Sequence, residues 1–365
     1  MAWIEQARNR YRVRFRHAGM IYTDSTYTDR AKAEERLNTL GEGIRRRAAL
    51  FEPGPAPLLK QWVPIWMNSR LVGEAAAARD ECLLRVHILP RFGNTRMSAI
   101  DMLAAQLFAK QLRRRLARSS VITILALLRT VLRDAVRQRL LLVDPLAHVE
   151  VPAEAATERP VLTQDQVWAL ACRMPTQRLK TMIVTAAGTG MRFGELAALA
   201  PAAISLDTYR LHIDPDVGSL HEVAGKRWLG PPKPPSGARK IYLPPYLLEG
   251  LQPLANGTRT EPMFRAAGGG LLWRTTFAAR VWRPACDGDA ARGWEPFLPG
   301  LQFNDLRSTH LTWMDEDHIN DVVKAKRMGH RLRDVRENYA TVTDPMARPL
   351  LEALQRRWQA SGATW

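Results

Sequence analysis

The sequence predicts an α+β fold, mainly helical and multidomain, on three observations. Residues 10–16 alternate strictly between basic and apolar side chains, the signature of a strand, and a helical pattern follows them. From Leu58 to about Val151 the apolar residues recur at helical spacing. Two proline-rich stretches, 53–57 and 152–160, cut the chain where neither period can continue. The layout expected is a small N-terminal β-sheet plus helix in residues 1–50, a helical domain in 57–151, and a mixed helical domain with a small β-sheet in 160–365. At 365 residues the chain can hold two or three domains with cores of their own.

In the first segment Tyr11, Val13 and Phe15 share one face of the strand, and Arg10, Arg12, Arg14 and Arg16 share the other. An exposed row of four arginines repels itself unless an anion lies against it, so these four are candidate DNA contacts. A basic strand edge without a specific site has the same sequence. A turn at His17-Ala18-Gly19 leads to a second strand, Met20 to Thr23. Thr28 or Asp29 then caps a helix that places Ala33, Leu37 and Leu40 on one face. Arg45-Arg46-Arg47 and the Pro53-Gly54-Pro55-Ala56-Pro57 run mark the first boundary.

Within the helical domain, Trp62, Ile65 and Trp66 fall at core spacing. Arg113, Arg114 and Arg115 form a basic run. A helix from Val121 to Leu142 carries the apolar stripe Ile124, Leu128, Val131, Leu132 and Ala135, with Arg129, Arg133 and Arg137 at four-residue steps along one edge. These arginines are further candidate DNA contacts, although a charge run is also what a solvated face looks like. A turn at His87–Gly93 and the closing Asp144-Pro145-Leu146 complete the domain. Residues 152–160 form the second linker, and Thr163-x-x-Gln166 opens the last domain as a capping box.

Composition narrows the partners. Lys and Arg number 53 against 36 acidic residues, a formal net charge of +17 with a pI near 10.5, which favours a polyanion. Cys82, Cys172 and Cys286 are odd in number and far apart, giving neither a disulfide framework nor a Cys-x-x-Cys metal pair. No apolar run approaches the roughly 18 residues of a membrane span, and no signal peptide is apparent. The expectation is a soluble, cytoplasmic protein without a membrane partner. No Walker-type loop is present, so ATP is not implied.

The chemistry-bearing residues lie in the last domain. Gly188-Thr189-Gly190-Met191-Arg192 leads into Glu195-Leu196, with Arg192 and Glu195 three apart on one side of a helix. Lys233 sits in a Pro-Pro-Lys-Pro-Pro stretch, and Gly230 to Pro244 reads as a hairpin turn running into a strand, with Lys226 and Lys240 as rivals. Farther on come Asn304-Asp305-Leu306-Arg307, then Gly329-His330, then Tyr339 nine positions later. In this order the motifs resemble those of the tyrosine recombinases, the phage integrase family. The departure is Asn304, where the family's box begins with histidine. His310 falls in the Thr309-His310-Leu311 run that the family keeps beside its second arginine.

The resemblance implies an arm-type DNA-binding domain at 1–50, a core-binding (SAM-like) domain at 57–151 that clamps one face of the duplex, and a catalytic domain at 160–365. It implies a site-specific recombinase of the temperate-phage or integrative-element type, which integrates and, with a partner, excises a mobile or viral element. Arg192 and Arg307 would fork onto the scissile phosphate, Lys233 would protonate the leaving 5′ oxygen, and Asn304 and His330 would add hydrogen bonds. Tyr339 would attack to form a 3′-phosphotyrosine, without metal, ATP or other cofactor. Expected partners are double-stranded DNA attachment sites, a homotetramer on synapsed DNA and a directionality factor (excisionase), inside a bacterial host cell. A type IB topoisomerase would share the chemistry, and a DNA-binding regulator with a decayed site would share the fold. A two-metal nuclease would need an acidic cluster, and a serine hydrolase a Gly-x-Ser-x-Gly elbow; the sequence offers neither. The tail from Pro345 to Trp365 reads as an apolar helix (Leu350, Leu351, Leu354, Trp358) able to pack at home or on another protomer.

Overall fold

The computed structural model describes the chain except residues 1, 8–9, 18–19, 51–55, 148, 150, 152–158, 224, 234–236, 256–259 and 331–340; for 16, 17, 20 and 41–50 it describes the backbone alone. The described residues are mainly helical with small antiparallel sheets, an α+β architecture. They divide into two compact units, Met1–Glu154 and Ala155–Trp365. Among them, no helix is long and apolar enough to cross a membrane.

The first unit begins with a three-stranded antiparallel meander, β1 (Ala2–Ala7), β2 (Arg10–His17) and β3 (Met20–Tyr27). The sequence expectation has no counterpart for β1, because Ala-Trp-Ile-Glu-Gln-Ala does not alternate, and it ends β3 four residues early. Helix α1 (Arg30–Leu50) packs across all three strands, with Val13 and Ala33 fully buried between them. Asp29 caps it, its Oδ1 accepting from the Ala31 N–H at 2.9 Å. Its backbone stays helical through Arg45-Arg46-Arg47, so that run lies inside a helix rather than at a boundary.

Five helices follow: α2 (Leu59–Ser69), α3 (Glu74–Leu83), α4 (Leu89–Phe92), α5 (Met102–Arg113) and α6 (Arg118–Arg137). They enclose a core containing Trp62, Trp66, Phe92, Phe108, Leu128, Val131 and Leu132. The buried indoles are satisfied: Trp62 Nε1 donates to the Val131 carbonyl (3.1 Å) and Trp66 Nε1 to Asp134 (2.8 Å). Ile65 departs from its expected core position and is 62% exposed. The expected turn at His87–Gly93 is largely helical. A π turn at Leu84–Ile88 joins α3 to α4, beside Pro90, whose ring nitrogen cannot donate to the ladder. Helix α6 stops at Arg137, short of Leu142, because Arg139 adopts φ +61° and reverses the chain.

In the second unit, Thr163 and Gln166 close a reciprocal capping box at the start of α7 (Gln164–Cys172). Helix α8 (Gln177–Thr189) is buried from Leu179 onward, packed against α7, α9 (Phe193–Ala197), α10 (Pro245–Leu251) and α13 (Asp305–Glu316). A helix surrounded on most sides carries few charges, and past Leu179 this one has only Lys180, with Thr181, Thr185 and Thr189 buried among its apolar residues. Strands β4 (Ile204–Ser205), β5 (Arg210–Ile213) and β8 (Arg239–Tyr242) form one antiparallel sheet. Strands β6 (Ser219–Val223) and β7 (Lys226–Gly230) form a separate two-stranded ribbon. The expected hairpin turn around Lys233 is therefore displaced: the tight turn lies before Lys226, and Lys233 is on the connection from β7 to β8. Pro231 and Pro232 lack the N–H groups a ladder needs there.

Helices α11 (Arg274–Phe277), α12 (Arg283–Asp287), α14 (Asp321–Met328) and α15 (Asp344–Ala360) complete the unit. Helix α15 buries Leu350, Leu354 and Trp358 in the core of its own unit. Trp358 stacks on Tyr246 at 4.6 Å, and Trp365 Nε1 donates to the Tyr246 carbonyl at 2.6 Å. The tail therefore packs at home.

Candidate active site

Three chain breaks build the site. Helix α8 ends at Gly190 (φ +67°), where a Cβ would lie 2.7 Å from Met328 Sδ and 2.9 Å from His310 Cδ2, so only glycine admits both neighbours. The chain then turns at Arg192, the N-cap of α9. Glu195, buried in the first turn of α9, reaches back: its Oε2 accepts from the Arg192 backbone N–H and its Oε1 from Arg192 Nη1, both at 2.9 Å. The same carboxylate accepts two bonds from Arg239 on β8, at 3.0 and 2.9 Å. Burial pushes the Glu195 carboxyl up, but the bonds and charge of Arg239, then those of Arg192, hold it below its ordinary value.

Arg307 lies in the first turn of α13 and is buried. Its Nη1 donates to the Gly190 carbonyl at 2.6 Å and its Nη2 to the Met328 carbonyl. Arg307 Nη2 also meets His330 Nε2 at 3.0 Å. A guanidinium can only donate, so His330 Nε2 accepts and the ring's proton is on Nδ1. Burial, then the charges of Arg192 and Arg239, bring Arg307 down to about 10. Burial and then Arg307, Arg192 and Arg239 likewise depress His330 and favour the neutral ring.

The structure thus joins Arg192, Glu195, Arg307 and His330 through direct bonds and shared electrostatics. Asn304 is exposed at the N-cap of α13, one turn before Arg307, and its side chain makes no cap bond. Lys233 is exposed, as are its rivals Lys226 and Lys240. Tyr339 lies outside the described residues.

Two arginines central to this site are missing from the sequence-derived set. Arg239 bonds Glu195, the Gly237 carbonyl (3.0 Å) and the Arg327 carbonyl (2.7 Å). Arg327 is buried near the end of α14 and donates to His310 Nε2 (2.8 Å), the Tyr242 carbonyl (2.7 Å) and the Gly188 carbonyl (2.7 Å). Burial brings Arg327 to about 10 and drives His310 well below its usual value. One signal was available: Arg239 shares the inward face of β8 with Ile241, an arginine on an apolar face. Arg192 and Arg239 bond the buried carboxylate of Glu195 and Arg307 feels its charge, three positive groups to one negative, so the site is suited to an anion.

The candidate DNA contacts of the first unit divide. Arg10, Arg12, Arg114, Arg115 and Arg133 are exposed. Arg14 is held by Glu5 (2.9 Å), Arg129 by Asp144 (3.1 Å) and Arg137 by Asp134 (2.8 Å), and Arg113 donates to the Leu116 carbonyl (3.1 Å). The side chain of Arg16 lies outside the described residues, as does most of the 152–160 linker.

This architecture is that of the tyrosine-recombinase integrases. The chain is similar to the Tn1549 transposon integrase in complex with transposon right end DNA, with a TM-score of 0.66 and 18% identity over 82% of this chain and 100% of that one. It is also similar to the lambda integrase tetramer bound to a Holliday junction (TM-score 0.57, 15% identity, 94% of this chain and 98% of that one). The lambda integrase dimer bound to a COC′ core site gives 0.56 and 16%, over 94% and 97%. Coverage of 94% leaves too little outside the match for the whole N-terminal sheet and helix to be excluded. No protein-family model and no curated protein matches the sequence.

Proposed function

We propose that the chain is a site-specific DNA recombinase that cuts and rejoins duplex DNA through a covalent 3′-phosphotyrosine. The observation that carries this reading is the Arg192–Glu195–Arg239 and Arg307–His330 cluster, set at the helix ends of an integrase fold. Two guanidiniums and an imidazole N–H suit a pentacoordinate phosphate, whose equatorial oxygens gain negative charge in the transition state. The Tyr339 oxygen attacks phosphorus, the bond to the 5′ oxygen breaks, and Lys233 donates the proton that oxygen needs. A 5′ hydroxyl from a partner duplex reverses the step and releases the tyrosine. Asn304 donates to the phosphate from its amide.

In this reading residues 1–50 bind arm-type sites, 57–151 grip the core duplex and 160–365 cut. The working assembly is a tetramer on two attachment sites, with a directionality factor choosing excision, in the cytoplasm of a bacterial host. The test is a duplex nicked near the crossover, so that the cleaved fragment diffuses away and traps the adduct. The parent protein forms a covalent complex and Tyr339→Phe, which loses only the attacking oxygen, binds without forming it. An adduct in Tyr339→Phe overturns the assignment of the nucleophile. Relaxation of supercoils without exchange between duplexes would make the chain a topoisomerase.

A further inference from the structure

The β6–β7 ribbon ends in a contact that the reaction just described does not use. His221 and Trp228 face each other across the ribbon, with stacked rings 5.5 Å apart at 16°. His221 Nε2 lies 2.8 Å from the Pro231 carbonyl oxygen, which can only accept, so the ring donates. The clip leaves no room at Gly230, where a Cβ would fall 3.1 Å from His221 Cδ2 and 3.3 Å from Trp228 Nε1.

Lys233 follows two residues after the bonded carbonyl. Pro232 between them has a fixed φ, which removes one backbone freedom between the clip and the lysine. Pro232 is buried, and a Cβ at Gly237 would come within 2.5 Å of its side chain, so the residues flanking this stretch, Pro232 and Gly237, lie together. Gly237 in turn is held through its carbonyl by Arg239, which grips Glu195 and through it Arg192. Lys233 therefore sits between two anchors, one tied to the phosphate-binding arginines and the other to the end of the β6–β7 ribbon through His221.

We infer that His221 is a positioning residue for Lys233, its bond to the Pro231 carbonyl setting the lysine ammonium against the leaving 5′ oxygen. This inference rests on the reading of Lys233 as the proton donor. Misplacing a catalytic group by about 1 Å costs on the order of 10²-fold in rate, so a loosened clip is visible in cleavage.

The experiment compares single-turnover cleavage of an ordinary suicide duplex with one whose scissile 5′ bridging oxygen is sulfur. A thiolate leaves without a proton, its conjugate acid having a pKa of about 8.5. His221→Phe keeps the stack on Trp228 and removes the N–H. It cleaves the oxygen substrate at least about tenfold more slowly than the parent, matches the parent on the sulfur substrate, and binds the duplex equally well. His221→Gln, which can donate from its amide, recovers most of the lost rate. Equal slowing of His221→Phe on both substrates, or none on either, overturns the inference, the former showing a merely structural role. Lys233→Ala run in parallel separates the two claims. If sulfur rescues Lys233→Ala while His221→Phe behaves as the parent, only the clip is wrong. If sulfur fails to rescue Lys233→Ala, the lysine is not the donor and the clip's assignment falls with it.

Discussion

Asn304 is the residue at which the sequence departs from the tyrosine-recombinase pattern that it resembles. An asparagine amide can donate to a phosphate oxygen but cannot titrate, and here it stands exposed one turn before Arg307. Asn304→Leu, close in size but without the donor, is expected to slow cleavage by about 10²–10³-fold with DNA affinity unchanged. Asn304→His stays active. Unchanged cleavage by Asn304→Leu would place this residue outside the site. His310 makes a different prediction. Its folded pKa is depressed, first by burial and then by Arg327, so the unfolded chain takes up a proton that the folded chain refuses. Stability is therefore lost as pH falls below the unfolded value of 6.5 toward the folded one. The slope reaches up to about 1.4 kcal/mol per pH unit for one histidine. His310→Gln keeps an acceptor for Arg327 and removes the titration, so urea unfolding between pH 7 and 5.5 should show a shallower decline. His330 adds a slope of the same sign in both proteins.

Among the elements, what the sequence revealed was local. The Thr163 capping box, the Gly190 stop and the alternation of β2 each depend on residues a few positions apart, and each is legible as a pattern. Arg239 and Arg327 were missed because their partners are distant in sequence: Glu195 for one, Gly188 and His310 for the other. For Arg327, nothing in a short window tells an arginine that caps buried carbonyls from one that faces water. Arg14, Arg129 and Arg137 show the converse, charges that look free in a periodicity and are paired in the fold. The end of α6 offers a stability test. Arg139 takes the left-handed position of a Schellman ending, with the Leu140 N–H on the Ala135 carbonyl and its own N–H on Val136. A side chain there costs about 1 kcal/mol or more, so Arg139→Gly should raise stability by about 1 kcal/mol in equilibrium unfolding. A loss of stability instead would mean that the side chain contributes more than the backbone strain costs.

For the whole molecule, charge and the N-terminal sheet set the expected behaviour on DNA. With a net charge of +17, binding should weaken steeply with salt. If the exposed Arg10 and Arg12 touch phosphates at arm sites, removing each flattens the log–log salt dependence by a slope of about 0.9. Arg14, already held by Glu5, should change it less. Cleavage of an isolated core duplex should be unaffected by any of the three, and an unchanged slope after removing Arg10 and Arg12 would make that face merely solvated. Of the two proline-rich breaks, the one at 152–160 coincides in sequence with the division between the two compact units. The fate of the tail was not visible in the sequence, because an apolar helix specifies that it will be covered without specifying by what; Tyr246, Trp358 and Trp365 decide it by stacking within one unit.

Three guanidiniums around one carboxylate also leave a surplus of positive charge at the site. Like charges held close in a partly buried place oppose one another, so under the proposed function the scissile phosphate would act as a structural ligand before it acts as a substrate. Any ligand that binds the folded state alone stabilises it in proportion to the logarithm of its concentration over its dissociation constant. Under the proposed function the protein off DNA is the less durable form, more open to unfolding and proteolysis than the same chain seated on its site. Its lifetime becomes a readout of whether it has found DNA, a coupling that requires no regulator.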